Sequence, residues 1–100
     1  MNIDEAKKTI RDDSAGHIGW AMAASILVQN TPRDGDQTDF FRDMLIALER
    51  GGVAGGAAVC ALHGRTKRPW PEEIGGTRDA NDWLRYLTQN DFLSKASAPS

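Results

Sequence analysis

Apolar side chains recur along this chain at helical spacing, and no segment alternates apolar and polar residues convincingly over four or more positions. The pattern predicts an all-α protein, an irregular bundle of four or five short helices. The first helix is expected over about 3–12. Asn2 is placed to cap it with Glu5 completing a capping box, and Ile3, Ala6 and Ile10 share its thin apolar face. A second is expected over about 15–29, capped by Ser14 and ended ahead of Pro32, which disfavours helix at Thr31. It is apolar around most of its circumference, which predicts a central position.

The clearest periodicity lies in 37–50, where Phe40, Phe41, Met44, Leu45 and Leu48 fall on one side. Asp36 or Thr38 is expected to cap this helix at its start and Gly51 at its end. The next segment, 51–64, reads as helical from Ala57 to His63 and is glycine-heavy before that; Gly64 is expected to end it. Residues 65–76 read as a long loop with one helical turn at Pro71–Ile74. A last helix starts at Thr77 or Asp79 and covers about 78–89, after which Phe92 and Leu93 fold back. The expected core is Ile18, Met22, Ile26, Phe41, Met44, Leu45, Leu48, Val59, Leu62, Trp83, Leu84 and Leu87. The chain reads as a single domain over 1–94 with a flexible tail at 95–100.

Composition narrows the function classes. Twelve basic and fourteen acidic residues give a net charge of −2, which is not the profile of a dedicated nucleic-acid binder. One cysteine, Cys60, excludes an intrachain disulfide and fits a reducing compartment. No signal peptide is legible at Met1–Glu5, and the weakly polar run Val53–Leu62 is shorter than the roughly 20 residues a bilayer requires. The expected location is cytoplasmic, with no membrane partner.

Gly51, Gly52, Gly55 and Gly56 precede a helix, as in phosphate loops. Their spacing fits neither GxGxxG nor GxxxxGK[ST], so close helix packing is the better reading. Asp34, Asp36 and Asp39 lack the closing glutamate of a calcium loop. Cys60 and His63 share a helical face, as an activated thiolate would require, but the alanines around Cys60 suit a buried structural cysteine. No catalytic motif is present, and no metal or cofactor is expected.

Two surfaces carry the expected binding function. The segment 65–70 concentrates Arg65, Lys67, Arg68 and Trp70, residue types suited to an interface or to phosphates and a stacked base. The second is acidic: Asp12, Asp13, Asp34, Asp36, Asp39 and Asp43 lie near helix ends and would suit a basic partner if those ends converge. The expected protein is therefore a non-enzymatic protein–protein binding module, an inhibitor or regulator that sterically blocks a larger protein or ribonucleoprotein complex. In style it resembles small acidic phage or mobile-element proteins, anti-CRISPR proteins among them, which are compact and lack catalytic motifs. The alternatives are a nucleic-acid-binding accessory protein using the basic 65–70 segment, and a small regulatory or ligand-binding subunit.

Overall fold

The computed structural model describes residues 1–66, 80–89 and 92. Among these it contains five helices and no strand: α1 (Ile3–Arg11), α2 (Gly16–Asn30), α3 (Thr38–Arg50), α4 (Gly52–Thr66) and α5 (Ala80–Gln89). Helices α1, α2, α4 and α3 pack in a ring, each against the next, and α5 lies on α3. The expected helical turn at Pro71–Ile74, the start of the last helix at Thr77 or Asp79, Leu93 and the tail at 95–100 lie outside the described residues.

Local chemistry sets the helix ends. Asn2 Oδ1 accepts from the Glu5 amide at 2.8 Å while Glu5 Oε1 accepts from the Asn2 amide at 3.2 Å, so the capping box forms. Ser14 does not cap α2. Its amide and hydroxyl both donate to Asp12 Oδ1, at 2.9 and 2.7 Å, and Ala15 stands at the cap position without a side-chain bond. Asp36 Oδ1 accepts from the Thr38 amide at the start of α3. Gly51 closes α3 at φ +74°, a conformation that disfavours any side chain, and its amide reaches the Leu48 carbonyl.

Helix α4 is longer than expected, running straight through its glycines from Gly52 to Thr66. Gly55 is the interior glycine of α4 that meets another helix. A Cβ there would stand 3.4 Å from the Leu48 carbonyl oxygen and 3.8 Å from that of Ala47, ordinary contact distances, so this face of α4 lies directly on the end of α3. Gly56, by contrast, faces nothing within 4 Å.

The core gathers Ile10 of α1, Leu27 of α2, Phe40, Phe41, Met44 and Leu48 of α3, Leu62 of α4, and Trp83, Tyr86 and Leu87 of α5. Seven of the eighteen buried apolar residues described are alanines, which brings the helices of the ring close together. Phe92 folds back as expected, its ring 5.7 Å edge-on to Phe41.

Three expected core residues are not in the core. Ile18 is 80% exposed, Met22 53% and Leu84 43%. Helix α2 is apolar on every side, so periodicity leaves its inward face undecided. The ring takes the side bearing Ala23, Ala24 and Leu27, and Ile18 and Met22 point away. On α5 the inward stripe is Trp83, Tyr86 and Leu87, one position round from Leu84. Ile26 and Val59 are half-buried against the core.

Candidate functional site

Arg65 stands in the last turn of α4, not on a loop, and is 6% exposed. Its Nη2 donates to the Val28 carbonyl at 2.8 Å, and its Nη1 to the Pro32 carbonyl at 2.9 Å and to Gln37 Oε1 at 3.1 Å. The guanidinium carbon lies 3.8 Å from the centroid of the Phe40 ring. Val28 carries one of the carbonyls at the end of α2 that the helix itself cannot bond. Arg65 thus clasps α2, the connection after it, and α3. Burial, and then the charge of Arg33, push its pKa down. The expectation that Arg65 meets a partner from an exposed loop is corrected: all of these polar contacts are internal. Lys67, Arg68 and Trp70 lie outside the described residues.

The carboxylates divide between two places. Asp12 and Asp13 sit at the C-terminal end of α1, where Asp13 pairs with Arg50 at 2.7 Å and Asp12 is held below the ordinary carboxylate range by its bonds from Ser14. Arg50 also donates to the Ile10 carbonyl at 3.0 Å and lies 4.5 Å from the Trp20 ring centroid. The other group lines a cleft of about 190 Å³ between α1, the end of α2 and α3, walled by Ile3, Lys7, Pro32, Asp36, Asp39 and Asp43 among others. The acidic helix ends therefore do not converge into a single patch, but Asp36, Asp39 and Asp43 do share one cleft. Bonds from Thr38 hold the Asp36 carboxyl below its ordinary range.

Asp43 is the unusual member. Its side chain is 2% exposed, Oδ1 accepts from Arg11 Nη2 at 2.7 Å, and the buried Oδ2 has no hydrogen-bond partner. By its charge it reads as part of the polar surface of α3, although its i−3 and i+4 neighbours, Phe40 and Ala47, belong to the core face.

A second surface arises from α2 and α4 together. Gly52 approaches His17, while Arg65 reaches Val28, so the two helices run side by side in the same direction. The seam between them opens as a shallow groove of about 260 Å³ lined by Ser25, Val28, Gln29, Arg33, Ala57, Cys60 and Ala61. Ile18 and Met22 stand out from α2, and Val53, 73% exposed, from α4. Across both helices the one Asp, Glu, Lys or Arg is Arg65, which is buried. Sequence reasoning missed this surface because it assigned Ile18 and Met22 to the core.

Cys60 is exposed on this outer side, which corrects its reading as a buried structural cysteine. His63 lies 5.3 Å from Trp83 of α5, and burial lowers its pKa. Among the described residues, no three His, Cys, Asp or Glu side chains are grouped to hold a metal ion, and no helix is long and apolar enough to cross a membrane. No protein-family model matches the chain, and neither a curated protein nor a solved structure is similar to it.

Proposed function

We propose that this chain is a non-enzymatic binding module that presses the outer face of α2 and α4 against an apolar surface on a larger protein and blocks it sterically. The observation that carries this reading is the exposure of Ile18, Met22 and Val53 on adjacent helices that present no Asp, Glu, Lys or Arg outward. Large exposed apolar side chains grouped on one surface mark contact sites, and the centres of interfaces are depleted in charge. The helices themselves offer no outward counter-charge, and the one charged residue lining the groove is Arg33 of the connection after α2, so a strongly basic surface would lose its hydration here without compensation.

Cys60 provides the test, because it is the chain's single cysteine and lies exposed beside the groove. A thiol-directed benzophenone on Cys60, irradiated in the native host, should give one discrete adduct with a larger protein. The double variant Ile18→Glu, Met22→Glu should lose that adduct while its melting temperature holds, since both residues are exposed. An adduct of twice the chain's own mass would assign the face to a second copy. An adduct that survives the double substitution would refute the reading.

A further inference from the structure

We infer that the partner segment seated along the seam of α2 and α4 is an amphipathic helix, with apolar side chains against Ile18, Met22 and Val53 and one carboxylate on Arg33. This rests on the reading of the α2 and α4 face given above and adds what its occupant must be.

Backbone chemistry decides the form of the occupant. The seam is walled by the side chains of two helices, whose interior amides and carbonyls are already bonded to each other. An extended segment laid here would bury N–H and C=O groups with no backbone edge to pair them. A helix arrives with those bonds made. The small side chains of Ser25, Ala57 and Ala61 line the groove of about 260 Å³ and leave room for the side chains of a third helix.

Charge decides the rest, because the face has two unlike ends. The two helices run in the same direction, and Ile18, Met22 and Val53 all lie in the first half of theirs. Arg33 lines the groove beyond the other end of α2, exposed and paired with no carboxylate among the described residues. Arg65 is close enough to feel it: after burial, the Arg33 charge is what lowers the Arg65 pKa. The hydrogen bonds of Arg65 go to neutral oxygens of Val28, Pro32 and Gln37. A carboxylate arriving here would gain a guanidinium partner in Arg33 and ease the repulsion on Arg65, while an ammonium group would meet like charge from both. Asp34 and Asp36 follow on the same connection, but neither lines the groove, and Asp36 is bonded to Thr38. Ile18 and Gln29, which lines the groove with Arg33, stand about three turns apart on α2, so the acid of the occupant sits about three turns from its first apolar contact.

The test is selection from a displayed library of random peptides of about 18 residues, long enough as a helix to cover the seam, against the full chain. Enriched peptides should lack interior Pro, repeat apolar residues at spacings of three and four, and carry Asp or Glu about three turns from the first of them. Arg33→Glu should weaken a selected peptide about fivefold or more, and replacing the peptide's acid with Lys should restore binding to that variant. Ile18→Glu, Met22→Glu should abolish binding of either peptide. All three positions are exposed, so melting temperatures should hold. Enriched peptides that need Ile18 and Met22 but carry no acid, ignore Arg33→Glu, or show an alternating or Pro-rich pattern would overturn the inference and leave the apolar face standing. Peptides indifferent to Ile18→Glu, Met22→Glu would remove both. No enrichment would overturn the inference, and the Cys60 adduct then decides separately whether the face stands.

Discussion

Among the described residues two charged side chains are almost wholly buried, and they are treated in opposite ways. Arg65, at 6% exposure, has two carbonyls, an amide oxygen and an aromatic face around it. Asp43, at 1%, has one oxygen paired with Arg11 and the other with nothing. The arginine joins elements distant in sequence and completes the fold. The aspartate contributes one bond to the fold and leaves one buried acceptor without a donor. Burial alone therefore does not say how fully a charged group is satisfied; the count of its used and unused hydrogen-bonding positions does.

The largest expected effect tests the structural side of this contrast. Arg65→Ala strips donors from the Val28 and Pro32 carbonyls and should destabilise the protein by about 2–4 kcal/mol, measured by urea unfolding. A loss under about 0.5 kcal/mol, the scale of an ordinary surface substitution, would place Arg65 among solvated charges after all. Next comes Arg11→Ala, which leaves Asp43 with no partner on either oxygen. With Arg11 half exposed, the expected loss is about 1–2 kcal/mol, below that of Arg65→Ala. A loss equal to or larger than that of Arg65→Ala would reverse the ranking of the two sites.

The smallest effect belongs to Asp36, whose carboxylate is exposed and bonded to Thr38. Its pKa is lower in the folded chain than in the unfolded one. Its contribution is therefore complete above the ordinary carboxylate value of 3.8 and is lost as pH falls through its folded value. Asp36→Asn should lower the melting temperature slightly near neutrality, and the two proteins should converge on acidification from about pH 7 to about pH 2. A difference that grows on acidification would mean the wrong sign for the linkage.

What could be read from the sequence follows from how sharply each element separates its faces. Helix α3 sets Phe40, Phe41, Met44 and Leu48 against Asp39, Arg42 and Glu49, and its boundaries and core face were both legible. Helix α2 has no polar side to exclude, so its existence was legible and its orientation was not. Ile18 and Met22, the residues that make up the candidate face, were lost to the core for that reason. The α4 glycines hid the first half of that helix, because interior glycine disfavours helix locally and the packing on α2 and α3 that supports it belongs to other elements. Arg65 and Asp43 were illegible for a shared reason: their roles come from partners 28 to 37 positions away, which local pattern cannot reach. Asp36 and Asp39 were singled out by charge alone, and the cleft supplies the third carboxylate that gives them a common direction.

The corner at Gly51 has a consequence of its own. The turn from α1 to α2 is braced by Arg50, and the turn from α2 to α3 by Arg65. Between α3 and α4 stands a single residue, and its amide and carbonyl do the bracing, to the Leu48 carbonyl on one side and from the Gly55 amide on the other. The negative end of one helix macrodipole is thereby set beside the positive end of the next. Each terminus supplies the counter-charge that a capping side chain would otherwise bring. The chain reverses there with backbone alone, and Arg50, in the last turn of α3, is released to serve α1.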